Sequence, residues 1–189
     1  KISYDMRMVS EYFKSEQFIF PNEDTTYMEV AELTKMVNEN AKSPKKVYVQ
    51  QDKDLKSYLT KEGVRIGLST NESKKLVDYV FNTTSPLILD LKQYWNRARP
   101  YQYVYQFDVD FHPFNTTSSH SPSYPSGHSL QTMCWKKLMD NINSSWFKKT
   151  ENVENSVNQS RMSLGVHFAS DISFSREICN YLHDNNLLS

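Results

Sequence analysis

His167 and Asp171 stand four residues apart in the stretch SRMSLGVHFASD. On a helix that spacing lets the carboxylate hold an imidazole N–H and fix the ring tautomer, which suits a structural pair as well as a catalytic one. In the same stretch Arg161 falls within about 60° of the apolar line Trp146, Val153, Val157 and Leu164. A charge so close to a buried stripe needs an anionic partner. Two readings are open, an internal ion pair with Glu151 or Glu154, or a bound anion.

Two further stretches carry chemistry-bearing types. In KQYWNRARP, Lys92 and Arg99 are seven apart, so two turns of one helix would set both beside the stripe Leu87, Leu91, Trp95 and Ala98. In SYPSGHSL, residues Ser126, Gly127 and His128 follow a proline in a chain with four glycines in all. By itself PSGH is also ordinary turn chemistry.

The elements that must position these residues read as helices. Thr26 and Glu29 form a capping-box pattern ahead of Val30, Leu33 and Val37, and Ser69 with Glu72 repeats it. Ser85, with Pro86 at the first helical position, is expected to cap a third helix that runs through LILDLKQYWNRAR and stops near Pro100. Tyr101 to Asp110 reads as extended loop, and HPFNTTSSHSPSY as a Ser/Thr/Pro loop that leads into PSGH. Further helices are expected from Ser129 to about Asn143, from Ser144 to about Leu164, and from about Ser170 to His183. The expected fold class is all-α, a single-domain helical bundle.

In order and internal spacing, Lys-x6-Arg-Pro, Pro-Ser-Gly-His and Ser-Arg-x5-His-x3-Asp resemble the three-part signature of the type-2 phosphatidic acid phosphatase and vanadium haloperoxidase superfamily. Within it, SYPSGHS and GVHFASD are most similar to the soluble class A non-specific acid phosphatases. The resemblance covers roughly Ser69 to His183. It implies a catalytic core over residues 69–189, with residues 1–68 as an N-terminal helical segment packing on it.

What the resemblance implies is a metal-independent phosphomonoester hydrolase working through a phosphohistidine. Lys92, Arg99 and Arg161 would ring the phosphoryl group, with Ser126 Oγ and the Gly127 N–H as further donors. His167 would be the nucleophile, oriented by Asp171, and His128 would protonate the leaving group and then activate water. No metal or other cofactor is implied, although vanadate or phosphate can occupy such a site. The alternatives are a vanadium-dependent haloperoxidase and a phosphatase of soluble lipid-related phosphates. His112 and His120, in the loop before PSGH, read as solvated residues or as the rim of the pocket.

Composition narrows the partners. The 22 basic and 22 acidic residues balance, so no global field points to nucleic acid. No stretch approaches the roughly 20 apolar residues of a transmembrane helix. A small phosphorylated substrate is the expected partner. The resemblance also suggests an extracytoplasmic enzyme, and a homodimer. The chain begins at Lys1 with no signal-peptide pattern, which suits a processed form. Cys134 and Cys179 have neither zinc-ligand spacing nor a disulfide framework and read as free buried thiols, with a single bridge between them as the alternative.

Overall fold

The computed structural model describes residues 2–116 and 118–188. Its elements run α1 (Tyr4–Phe13), α2 (Glu23–Lys42), α3 (Lys46–Lys53), α4 (Leu55–Ile66), α5 (Thr70–Trp95), a 3₁₀ turn (Pro100–Tyr103), α6 (Val104–Phe107), α7 (Gly127–Ile142), a second 3₁₀ turn (Ser144–Trp146), α8 (Phe147–Ser163) and α9 (Ala169–Asp184). The fold is all-helical. At its centre lies α7, which packs against α5, α8 and α9. Every residue from Ser129 to Trp135 is buried, as in a helix enclosed on all sides. Around it Leu87, Leu91, Leu130, Trp135, Val157 and Ile178 are fully buried in the main core.

Four sequence expectations change. Ser85 does not start a helix: α5 runs unbroken from Thr70 to Trp95, with Pro86 inside it. The Ser85 hydroxyl instead accepts from Gln131 Nε2 at 3.2 Å, and packing of Leu87, Ile88 and Leu91 into the core outweighs the hydrogen bond that proline removes. The start of α5 is as expected, with a complete Ser69–Glu72 capping box. In α2 the cap is Asn22, whose side chain accepts from Thr25 N–H, so Thr26 and Glu29 lie within the helix. Tyr101 to Asp110 is not extended, because residues 100–107 form a 3₁₀ turn and α6.

The fourth change matters most for the site. Asn96, at φ 44°, ends α5 in the left-handed conformation, so Arg97, Ala98 and Arg99 lie beyond the helix. Lys92 and Arg99 therefore do not share a helix face. An early stop turns the chain across the ends of α7 and α9, where Arg97 O accepts from Ser123 N–H at 2.8 Å. At the other side of the site, α8 ends and Gly165 adopts φ 73°. A Cβ there would come within 2.8 Å of the Phe111 ring, so glycine alone allows the chain to fold back toward His167.

Candidate active site

His167 is the residue just before the N-cap of α9, not part of the helix. Asp171, in the first turn of α9, reaches back: its Oδ2 accepts from Phe168 N–H at 3.0 Å and lies 3.0 Å from His167 Nδ1. The four-residue spacing makes the expected contact, but as a helix-start arrangement rather than one turn of helix. The other ring nitrogen, Nε2, lies 2.9 Å from an Arg99 guanidinium nitrogen. Arginine has only donors, so Nε2 must be the unprotonated nitrogen and Nδ1–H must point to Asp171. The in-plane lone pair of His167 is thus held at Nε2 and shared with the guanidinium.

The cations converge on this ring. Arg99 donates from Nε to Ser121 O and from NH1 to Val166 O, both at 2.8 Å. Lys92 Nζ donates to Pro122 O. Arg161, fully buried, donates from NH2 to Asp52 Oδ1 at 2.9 Å. That carboxylate replaces the expected partners: Glu154 pairs with Arg176 and Glu151 with Lys148, both at 2.7 Å. The Nε of Arg161 is buried with no hydrogen-bond partner among the described residues.

Ser126 caps α7 through its side chain, and Gly127 is the first helical residue. The N-terminal end of α7, with its free N–H groups, opens beside His128. A Cβ on Gly127 would meet Ile88 at 3.4 Å, an ordinary contact, so the protein around it does not require glycine. Ser160, counted in the signature, donates to Val157 O at 2.7 Å within α8. His112 is exposed beside Asp110, and His120 lines a polar cleft of about 370 Å³ with Tyr101, Gln102, Ser121 and Pro122. Neither joins the cluster.

Electrostatics report the same closeness. Burial, then the charge of Arg99, pushes Lys92 well below its ordinary value, and burial brings Arg99 down to about 10. Burial, then Arg99, Lys92 and Arg161, holds His167 well below the usual imidazole range. His128 is lowered by burial and by Arg161, against a hydrogen bond to the Asp52 main chain that favours its charged form. Burial pushes Asp171 up to about 6 despite Arg97, which leaves it ionised at neutral pH.

A profile of the PAP2 superfamily matches residues 75–182, more than half of the chain. The chain belongs to the PAP2 superfamily. A phosphorylated substrate fits that family, and the chain is a PAP2-family phosphatase, a phosphomonoester hydrolase. Its fold is similar to the crystal structure of a transmembrane PAP2-type phosphatidylglycerolphosphate phosphatase from Bacillus subtilis. The TM-score is 0.52 at 17% identity, over 97% of this chain and 94% of that one. No curated protein sequence gives a significant match. Neither comparison points to the soluble class A phosphatases in particular. Unlike its transmembrane counterpart by name, this PAP2 chain has, among the described residues, no helix long and apolar enough to cross a membrane.

Two residues packed into this cluster escaped the sequence reading. Arg97 is 2% exposed and donates to Asp171 Oδ1 and Ser170 Oγ at 2.6 Å, to Glu29 Oε2 at 2.8 Å and to Thr26 Oγ1 at 3.2 Å. Glu29 in turn accepts from Ser170 N–H and Oγ, both at 2.7 Å, at the start of α9. One signal was available: once the helix stops at Asn96, Arg97 and Arg99 alternate around Ala98 in extended chain and face one side. Among the described residues no group of three or more His, Cys, Asp or Glu is placed to hold a metal ion.

Proposed function

We propose that the chain hydrolyses small phosphomonoesters through a phosphohistidine at His167, without a metal, in the manner of the acid phosphatases. The supporting observation is the His167 ring, fixed at Nδ1 by Asp171 and bonded at Nε2 to Arg99 within a cluster of buried cations. In this reading residues 69–189 hold the phosphate, and residues 1–68 pack against them and lend Glu29 and Asp52.

The sequence of events follows from the hydrogen bonds. An arriving phosphate dianion offers better acceptors than an imidazole lone pair, so Arg99 NH1 transfers from Nε2 to a phosphate oxygen. That frees Nε2 for attack on phosphorus and places the attacking atom beside its electrophile in one motion. Lys92, Arg161, the Ser126 hydroxyl and the Gly127 N–H hold the equatorial oxygens throughout transfer. One charge pair at about 4 Å is worth roughly 4 kcal/mol at an effective dielectric of 20, so three cations can stabilise the anion. As the P–O bond breaks, His128 gives its proton to the leaving oxygen, then takes one from the water that hydrolyses the phosphohistidine.

The test is turnover of p-nitrophenyl phosphate with and without EDTA, and with vanadate. Activity is expected to survive chelation and to fall at micromolar vanadate, whose trigonal-bipyramidal form mimics the transition state. Activity lost in EDTA and restored by magnesium or zinc would defeat the metal-free mechanism. Bromide peroxidation supported by added vanadate, without phosphatase turnover, would favour the haloperoxidase instead.

A pH linkage goes with it. Lys92 and His128 both sit below their ordinary values because of burial and neighbouring cations. A bound dianion opposes both effects and raises both values, so binding draws protons in and tightens as pH falls. Sulfate does not titrate near neutrality, so titration calorimetry at pH 7.5 in two buffers of different ionisation enthalpy reads this uptake directly. Proton release, or none, would contradict the arrangement of charges.

A further inference from the structure

The anion-binding arginine is held by a residue far outside the superfamily match. Asp52 lies at the C-terminal end of α3, 109 positions from Arg161, and is 6% exposed. Its Oδ1 accepts from Arg161 NH2 at 2.9 Å and from the Ser118 hydroxyl. Ser118 also accepts from Arg161 NH1, at 3.4 Å. A carboxylate from α3, a hydroxyl from the loop before PSGH and a guanidinium from α8 thus close one triangle.

We infer that Asp52 is a positioning residue that aims Arg161 at the substrate phosphate; the inference rests on the phosphatase reading above. The geometry favours aiming over competition. A guanidinium has five N–H donors in a fixed fork, and the Asp52 carboxylate engages it through one nitrogen. Arg161 Nε keeps no partner among the described residues, and NH1 has only the long Ser118 contact. A carboxylate that competed with phosphate would take a two-nitrogen edge, as bidentate pairs do. Asp52 is also pinned by Ser118 and buried, so it cannot swing away and back with each turnover. Planar recognition tolerates little displacement, and a misplaced arginine forfeits the bonds that bind oxyanion.

Aiming and charge separate in three variants. Asp52→Asn keeps the acceptor oxygen in place and loses the charge; Asp52→Glu keeps the charge and moves it by one methylene; Asp52→Ala loses both. The readouts are KM and kcat for p-nitrophenyl phosphate and the inhibition constant of vanadate, with circular dichroism to verify folding. Asp52→Asn is expected to stay within about threefold of the wild type in KM and vanadate inhibition. Asp52→Glu and Asp52→Ala are expected to weaken both by about 10–100-fold, the range seen when the outer partner of a directly bound group is lost, with a smaller change in kcat. If Asp52→Ala does not fold, the contrast between Asn and Glu decides alone. A wild-type-like Asp52→Glu beside an impaired Asp52→Asn would overturn the inference, because charge and not position would then matter. Tighter vanadate binding in Asp52→Asn would overturn it in favour of competition, and three wild-type-like variants would leave Asp52 no role at the pocket. A wild-type protein that neither hydrolyses the ester nor binds vanadate would overturn the phosphatase reading itself, and this inference with it.

Discussion

His167→Ala is expected to abolish turnover and, with it, any covalent phosphoenzyme, whereas His128→Ala is expected to slow turnover and let the phosphoenzyme build up. The two histidines are neighbours in one field, each held neutral by burial and by the same arginines. Their hydrogen bonds differ. His167 is locked between Asp171 and Arg99, which presents Nε2 as a fixed lone pair and suits attack on phosphorus. His128 is half-buried beside the N-terminal end of α7, where a leaving group or water can reach it. Without the nucleophile, losses on the order of 10⁶-fold are usual. Without the proton donor, about 10²–10⁴-fold is usual, and less where the leaving group needs no proton. An aryl ester should therefore still phosphorylate His167 in the His128 variant, while an alkyl ester should suffer in the first step as well. Acid-quench labelling and rates on both esters make the measurement. Labelled His167→Ala protein, or equal losses on aryl and alkyl esters in His128→Ala, would show the roles to be wrongly assigned.

The parts of this site that could be read from the chain are those whose partners are close in sequence. His167 and Asp171 are four apart, and Ser126, Gly127 and His128 are consecutive, so local spacing reported their proximity. Arg161 was legible as a misfit, a charge beside an apolar stripe, and its burial bears that out. Its partner was not legible. Glu151 and Glu154 were nearer in sequence, but both point to lysine or arginine elsewhere, and the carboxylate that reaches Arg161 comes from α3. Sequence periodicity carries no information about which helix packs where, so Asp52 and Glu29 had no signal of their own. The helices were recognisable from their caps where the cap was the strongest local option, as at Ser69. Thr26 and Ser85 carried equally good cap patterns but lie inside longer helices, Thr26 turned toward Arg97 and Ser85 toward Gln131. A buried guanidinium outbids a cap, and the Leu87–Leu91 face outweighs a proline.

Arg97→Met is expected to lower the melting temperature by roughly 6–20 °C at neutral pH and by clearly less near pH 5. Arg97 stands between Asp171 and Glu29, with 1% of its side chain exposed, and its guanidinium stacks 4.0 Å from the Phe168 ring centre. Methionine keeps much of the packing on that ring and removes the charge. Breaking one partner out of a buried ion pair typically costs about 3–5 kcal/mol, and each kcal/mol shifts melting by roughly 2–4 °C in a domain of this size. The pH dependence follows from Asp171. Burial already raises it to about 6 with Arg97 present, and loss of the cation raises it further. A carboxyl whose folded value lies above its unfolded one binds protons more readily in the native state, so the destabilisation is full above the folded value and fades as pH falls through it. Thermal melts of wild type and variant at pH 7.5 and pH 5 measure the gap at each end. A gap of equal size at both pH values would mean that Asp171 is protonated already in the wild type. In that case the carboxylate that orients His167 would have to be a neutral acid, and the tautomer argument for Nε2 would rest on Arg99 alone.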